Sequence, residues 1–492
     1  MGSRDSYTLD SDIRDLLPRF APSMEATARV ASIRVRLERA DMQTVVVGAG
    51  KSGLAAAALL RSKGARVVVA EDRVTPENAA HVAALGADLA AIEPATFETA
   101  ELVVLSPGVP RNKPGLQPAI DRQIVVGEIE LASWFIQVPM IGITGTNGKS
   151  TTTALVAHIL KEAGRRVFAG GNLGEPLSRL AMRPDDFDIA VVELSSYQLE
   201  SIVDARFEVA CWLNLTPDHL ERYRDIDQYA AAKERLLARR AANGVAVLNA
   251  KDPYCSDRGI RLGGPIRWFA GETKSKLAQT MGTLLSESGD ALRASEDKDE
   301  IEHYTLSGAG LIGAHNKANA CAAIECVRHF EIDPALVNRG LSTFRGLPHR
   351  IEAVGTIDGV RYYNDSKATN VDSAIIAILA VSGPKILIAG GKDKGAPWAP
   401  LVEAAVAQDV KAVLTVGEAA PIVEAAFSGR VPRVVHCGDI HRAFEEARRL
   451  AVAGDAVLLS PGCASFDQFK NFEHRGDVFR AIVQAAAGRG TA

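Results

Sequence analysis

No stretch of this chain runs for 18 apolar residues without a break, so a membrane-spanning helix is not expected. The N-terminus, MGSRDSYTLDSDIRD, lacks the basic-then-apolar layout of a secretory signal and reads as a polar extension. Net charge is only −4 over 492 residues. That near-balance gives no electrostatic footprint for nucleic acid or an anionic membrane surface. The six cysteines, Cys211, Cys255, Cys321, Cys326, Cys437 and Cys463, form no C-x-x-C pair. Their scatter through apolar segments predicts buried thiols and a reducing cytoplasm, not a disulfide or zinc framework.

The length suggests about three domains, and 47% hydrophobic residues suffice for several cores. An apolar run over Val138–Ile143 reads as a buried strand. It ends in Gly145-Thr146-Asn147-Gly148-Lys149-Ser150-Thr151, and a helical pattern with Leu155, Val156, Ile159 and Leu160 on one face follows at once. Strand, glycine turn, lysine and hydroxyl at a helix start make a phosphate cradle. Lys149 reaches terminal phosphates, and Ser150 or Thr151 is placed to ligate magnesium. The full P-loop pattern needs a glycine where Ile143 stands, so this is a shortened form. A purely structural glycine turn is the plain alternative.

Upstream, a strand over Thr44–Val47 runs into Gly48-Ala49-Gly50-Lys51-Ser52-Gly53, and a second strand over Arg66–Ala70 ends at Glu71-Asp72. This is a G-x-G-x-x-G fingerprint with an acid 18 residues after its last glycine. Alone it points to a dinucleotide, although other nucleotides use the same geometry. A further strand, Leu102–Leu105, ends in Ser106-Pro107-Gly108-Val109-Pro110, where such a sheet presents ligand loops.

Downstream of the phosphate loop come Gly170-Gly171-Asn172-Leu173-Gly174 and a strand from Ile189 that ends at Glu193, followed by Ser195, Tyr197 and Gln198. An acid at that strand end suits magnesium. The strand Val209–Leu213 leads to Asn214 and then Asp218-His219, again polar groups at a strand end. Oxygen ligands suit magnesium better than the imidazole does. Lys233 lies on an amphipathic helix and by itself reads as a solvated lysine. Asn316 and Asn319 open another helix at i, i+3 spacing, where they could grip an adenine edge or cap the helix. The last third alternates strands and helices, as a doubly wound sheet requires. Its loops Asn364-Asp365-Ser366-Lys367-Ala368-Thr369, Gly390–Gly395 and Ser460–Phe472 collect lysines and serines at strand ends, which suits a small carboxylate.

Together these motifs resemble the Mur ligases of bacterial cell-wall precursor synthesis, from about residue 43 to 487. TGTNGKST, Glu193, HNKAN and the Arg350 turn are shared across that family. ELSSYQLE, NDSKATN and SPGCASFDQFKNFEHRGD point to its D-glutamate-adding branch. The resemblance implies an α/β chain of three domains. Residues 1–137 would be a Rossmann-like domain for the UDP-substrate, with the first ~40 residues an extension of no assigned role. Residues 138–345 would be a P-loop-type ATPase domain with a mostly parallel sheet, and 346–492 a doubly wound, Rossmann-like domain for the amino acid.

The resemblance also implies roles. Lys51, Ser52, Glu71 or Asp72, Gly108, Asn172, Ser195 and Gln198 would meet the UDP-substrate. Gly145, Thr146, Asn147, Gly148, Lys149, Ser150 and Thr151, with Asn316, Asn319, Arg350 and Asp365, would hold ATP. Ser150, Glu193, His219 and Lys233 would hold two magnesium ions, Lys233 as a carbamate formed with carbon dioxide. D-glutamate would sit against Lys367, Thr369, Lys394, Ser465 and Phe472, with Lys394 chosen over Lys392. Lys149, Asp218, His219 and Lys233 would be catalytic, and His219 or a nearby carboxylate could take the amine's proton. The product would be an amide formed through an acyl phosphate, by a cytoplasmic monomer acting on small molecules alone.

Three rival readings stay open at this stage. They are a ligase of the same or the folylpolyglutamate synthase type with a different acceptor, an NAD-linked oxidoreductase motivated by GAGKSG, and a non-catalytic nucleotide sensor.

Overall fold

The computed structural model describes residues 24–37, 41–218, 222–275, 278–279, 282–294, 301–306 and 310–489. The chain forms two compact units, one made of residues 1–305 and 318–340, the other of 306–317 and 341–492. Among the described residues no helix is long and apolar enough to cross a membrane. All six cysteines are buried free thiols, as their apolar settings predict.

The first unit holds two sheets. The smaller contains β1 (Gln43–Val47), β2 (Arg66–Ala70), β3 (Asp88–Ala90), β4 (Leu102–Leu105) and β5 (Val125–Gly127), all parallel, in the order β3-β2-β1-β4-β5. The strands are short, and all but the edge strand β3 are valine-rich and mostly buried, as a sheet covered on both faces requires. Strand order reverses between β1 and β4, so the crevice at their carboxyl ends is where such a sheet takes ligands. A helix outside the glycine fingerprint, Met24–Leu37, buries Val30, Ile33 and Leu37 in the same core.

The second sheet has nine strands: β6 (Met140–Thr144), β7 (Val167–Gly171), β8 (Ile189–Glu193), β9 (Phe207–Trp212), β10 (Arg240–Asn249), β11 (Ile266–Ala270), β12 (Gly282–Leu285), β13 (Ala291–Ala294) and β14 (Ile301–Tyr304). Their order is β14-β13-β12-β11-β10-β9-β6-β8-β7. Only the β12–β13 and β13–β14 pairs are antiparallel, and Ser288-Gly289-Asp290 lies in the β12–β13 turn. The strand that carries the phosphate loop, β6, lies between β8 and β9.

The second unit holds the third sheet: β15 (Glu352–Ile357), β16 (Val360–Asn364), β17 (Lys385–Gly390), β18 (Val410–Val416), β19 (Val434–Gly438) and β20 (Ala456–Leu459), in the order β15-β16-β20-β17-β18-β19. All pairs are parallel except β15–β16. Two apolar clusters cover its faces, one around Leu387, Leu401 and Val413, the other around Ile388, Leu414 and Phe444. The fold class read from the sequence therefore holds: α/β, with mostly parallel sheets.

Candidate active site

In the first unit, Gly148 is the N-cap of the helix Lys149–Glu162 and offers no side-chain cap. The first amides of that helix lack intrahelical acceptors, so they and the helix dipole are left for an anion. Gly148 has φ +85°, and a Cβ there would stand 2.4 Å from Asn319 Oδ1. Asn319 is thus packed on the phosphate loop, and it is buried. The Lys149 ammonium donates to the carbonyls of Gly145 (3.0 Å) and Thr146 (2.9 Å). Asn214, at the end of β9, accepts from the amides of Thr146 (3.1 Å) and Asn147 (2.9 Å) through Oδ1. In the sequence Asn214 is one polar residue among several at a strand end. Its role in shaping the loop needed the β6–β9 pairing to be seen.

The register Ile143↔Glu193 sets Glu193 beside the start of the loop. Its side chain is buried; Oε1 accepts from Asn172 Nδ2 (2.9 Å), and Oε2 has no partner. A buried carboxylate oxygen without a donor costs free energy unless a cation or donor meets it. That orphan, the Ser150 hydroxyl on the first helical turn and the uncapped amides fit a magnesium–nucleotide. Among the described residues no three His, Cys, Asp or Glu side chains gather into a metal cage. Magnesium bound through one or two protein ligands and substrate phosphates does not need one.

Lys233, on the helix Ile226–Ala238, is not solvated. It is 1% exposed, and its amine donates to the Gly145 carbonyl at 2.9 Å. Burial pushes its pKa well down, the Lys149 charge pushes it further, and Asp218 and Cys255 oppose both. Its Nζ also lies 4.5 Å from the centre of the Tyr229 ring, whose hydroxyl is 3.3 Å from Thr146 Oγ1. Asp218 is exposed, and His219 lies outside the described residues.

At the first sheet, Lys51 opens the helix Lys51–Ser62 and donates to the Gly174 carbonyl at 2.5 Å; Ser52 follows it, half-buried. Glu71 bonds protein backbone: Oε2 accepts from the Ala49 amide (2.8 Å), Oε1 from Asp72 (2.9 Å) and Arg73 (3.3 Å). Asp72 pairs with Lys113. Gly108 lies on an exposed turn after β4 with open space around it. Ser195 and Gln198 form a capping box on the helix Ser196–Leu199, with Ser195 Oγ accepting from the Gln198 amide (3.2 Å) and Gln198 Oε1 from the Ser195 amide (2.9 Å).

In the second unit, β16, β20 and β17 are neighbours, so the loops after them meet although the sequence separates them widely. Lys394 Nζ reaches Thr369 Oγ1 at 3.5 Å, whereas Lys392 exchanges backbone bonds with Ala464. The Lys367 ammonium lies 5.1 Å from the centre of the Phe472 ring. Ser465 is buried, and its carbonyl accepts from Phe469 (2.8 Å). Beneath these loops the buried Arg475 donates to Ser366 Oγ (2.9 Å) and to the carbonyls of Ser366 (2.8 Å) and Cys463 (3.1 Å). In the sequence Arg475 stands within SPGCASFDQFKNFEHRGD, where nothing local marks it as buried.

Asp365 is fully buried. Its oxygens accept from the Ile351 amide (3.1 Å) and the Ser460 hydroxyl (2.7 Å), so it braces the turn that carries Arg350. Burial raises its pKa to about 7, with Ser460, Ile351, Arg350 and Arg475 opposing. Arg350 Nε is buried without a partner. Asn316 Nδ2 donates to the Ile312 carbonyl at 2.8 Å.

Three family models match: the Mur ligase MurD-like N-terminal domain over 42–127, the Mur ligase middle domain over 143–327, and the Mur ligase glutamate ligase domain over 349–463. The chain is 44% identical to UDP-N-acetylmuramoylalanine--D-glutamate ligase of Myxococcus xanthus, over 91% of this chain and 99% of that one. It is also 44% identical to the ligase of the same name from Anaeromyxobacter dehalogenans, over 90% and 98%. Among solved structures, the MurF ligase of Thermotoga maritima in complex with ADP matches with a TM-score of 0.56 at 16% identity, covering 86% of this chain and 95% of that one, a likeness of fold. With relatives this similar along nearly their whole length, the chain belongs to the Mur ligase family.

Proposed function

We propose that this protein joins D-glutamate to UDP-N-acetylmuramoyl-L-alanine, with ATP converted to ADP and phosphate, as a step of peptidoglycan precursor synthesis. The choice of amino acid is supported by the names of the relatives. The observation that carries the phosphoryl-transfer step is the orphaned Glu193 oxygen beside an uncapped helix N-terminus and a glycine loop.

A free carboxylate resists attack by an amine because oxide is a poor leaving group. The L-alanine carboxylate therefore takes the γ-phosphoryl group of ATP, and the D-glutamate amine displaces phosphate from the resulting acyl phosphate. Positioning and charge neutralisation supply most of the catalysis in such a step. In this reading Lys149 and the amides of residues 149–151 hold the phosphates, and Glu193 and Ser150 hold magnesium, which when bound neutralises phosphate charge. Lys233, with its proton affinity lowered by burial, attacks carbon dioxide through its nitrogen lone pair, loses a proton to solvent and becomes a carbamate anion. Asn316, Asn319 and Arg350 serve ATP, and Asp365 braces Arg350. Lys51, Ser52, Glu71, Asp72, Gly108, Asn172, Ser195 and Gln198 serve the UDP-substrate, several by shaping loops. Lys367, Thr369, Lys394, Ser465 and Phe472 receive D-glutamate. The division of labour is residues 1–137, 138–345 and 346–492, and the protein works in the cytoplasm as a monomer on small molecules alone.

The test is phosphate release from ATP and magnesium with UDP-N-acetylmuramoyl-L-alanine, comparing D-glutamate, L-glutamate, L-alanine and meso-diaminopimelate. Release is expected with D-glutamate alone. Release with another acceptor moves the protein to a sister ligase, and no release with any acceptor refutes the ligase reading.

A further inference from the structure

The helix Glu128–Ser133 leads from the first sheet to the second and carries two buried carboxylates, Glu128 and Glu130. The chain passes tightly here: a Cβ on Gly127 would stand 2.2 Å from Ser201 Oγ. Glu130 is fully engaged. It accepts from the Trp134 indole (2.9 Å) and from the amides of Val203 (2.8 Å), Asp204 (2.9 Å) and Ala205 (3.1 Å). Glu128 is not. Its Oε1 accepts from the Ser178 amide at 2.6 Å, while Oε2 is buried without a partner. A buried carboxylate kept with half its valence unmet is a burden on the fold, which calls for a functional reason.

Ser178 follows the loop from Gly171 to Pro176, whose Asn172 amide donates to the Glu193 carbonyl at 2.9 Å. Asn172 in that loop holds Glu193 Oε1, and the Gly174 carbonyl takes the Lys51 ammonium. Glu128 supplies a further anchor just past the loop's end, at Ser178. We propose that Glu128 is a positioning residue for substrate binding: its carboxylate fixes Ser178, and through it the loop that presents Asn172 to Glu193 and Gly174 to Lys51. The proposal rests on the ligase reading for the identity of the substrate, the uridine-diphosphate end of UDP-N-acetylmuramoyl-L-alanine.

Burial raises the Glu128 pKa to about 7, with Ser178 opposing. The elements packed on its helix are β4, β5 and the helices Lys51–Ser62 and Leu177–Ala181. Their charged groups are Lys51, Arg61 and Arg179, with Glu130 on its own helix; β4 and β5 carry none. Lys51 and Arg61 donate elsewhere, to Gly174 and Ala65. The anchor is a charge-assisted bond only while Glu128 is ionised, so it weakens as pH falls through about 7. Stability runs the other way. A carboxyl whose folded pKa lies above its unfolded one destabilises the fold as pH rises, fully so above about 7.

The experiment compares wild type with Glu128→Gln, which keeps shape and a carbonyl but cannot ionise. Phosphate release is followed from pH 6 to 9 with each substrate varied in turn, and thermal midpoints are taken at pH 5 and pH 8. Wild-type KM for the UDP-substrate should climb about 5- to 10-fold as pH falls through 7, the size of one weakened charged bond. Glu128→Gln should show the high value at every pH, with kcat and the other two KM values within about twofold, a change too small to reflect a lost bond. The variant should also melt higher than wild type at pH 8, with the gap closing at pH 5.

A merely structural residue would move the midpoint without moving the pH dependence of one KM. An unchanged KM, or all three rising together, overturns the proposal. Should Glu128→Gln not fold, Glu128→Asp must retain the pH inflection with a raised KM, and an inflection absent there also overturns it. If wild type releases no phosphate, the ligase reading fails. Calorimetric binding of UDP-N-acetylmuramoyl-L-alanine then decides separately: tighter binding by wild type than by Glu128→Gln above pH 7 supports the proposal, and equal binding overturns it.

Discussion

The tripeptide Gly-Lys-Ser opens a helix twice in this chain, at Gly50-Lys51-Ser52 and at Gly148-Lys149-Ser150. Both follow a buried parallel strand. Gly50 has φ −78° with open space where a Cβ would stand, while Gly148 has φ +85° and Asn319 against it. Lys51 reaches outward to the Gly174 carbonyl, and Lys149 folds back onto its own loop beside the buried Lys233. The acid set against the first loop, Glu71, is spent on the Ala49 amide; the acid beside the second, Glu193, keeps one oxygen free. In the function proposed above, the same three residues would make a nucleoside-binding turn in one place and a phosphoryl-transfer site in the other. The difference lies in what neighbouring strands bring to them.

The comparison breaks most sharply at the two lysines. Lys149→Ala should lower kcat by about 10³-fold or more, the scale of a lost transition-state charge contact. Lys51→Ala should act chiefly on KM for the UDP-substrate, by about tenfold. Steady-state kinetics on both variants would separate the roles, and equal losses of kcat would erase the distinction. Next, Lys233→Ala should lose about 10²-fold in kcat and regain part of it with added small carboxylic acids, which replace the carbamate anion. No recovery at any acid concentration would refute the carbamate.

The two glycines offer a stability test free of substrate. Gly148→Ala should cost about 1–3 kcal/mol, from the left-handed backbone and the approach to Asn319. Gly50→Ala should fall within about 0.5 kcal/mol of wild type. Urea melts at neutral pH would read both. Among the kinetic variants the smallest effect is expected at Glu71→Gln, which keeps an acceptor for Ala49 but weakens a charged bond. It should raise KM for the UDP-substrate by a few-fold and leave the ATP KM unmoved, about 1 kcal/mol.

Much of this site was legible in the chain order. Strand, glycine turn and helix are local events, so Ile141–Thr153 could be read as a phosphate cradle without tertiary knowledge. Glu193 stood out because its strand is apolar and the acid ends it. Lys233 was different. Its helix is amphipathic in ordinary fashion, and only packing onto the Gly145 carbonyl shows that the lysine is inside. Asn214 and Arg475 were missed for the same reason, since each acts on a loop that another strand delivers. Ser195 and Gln198, which the family resemblance assigns to the UDP-substrate, bond each other as a capping box, a local motif that the sequence also spells.

The sequence by itself determined the elements and their chemistry: which strands are buried, where glycines permit a turn, which polar residues end each strand. These follow from apolar periodicity and backbone sterics within about ten residues. Only the tertiary structure decided which strand ends meet. The order β8-β6-β9 sets Glu193 and Asn214 on either side of the phosphate loop, and β16-β20-β17 gathers Thr369, Ser465 and Lys394. Neighbour choice in a parallel sheet depends on crossovers and register over tens of residues, and on burial of both faces at once. That is also why the free oxygen of Glu193 and the half-bonded carboxylate of Glu128 could be seen only once the chain was folded.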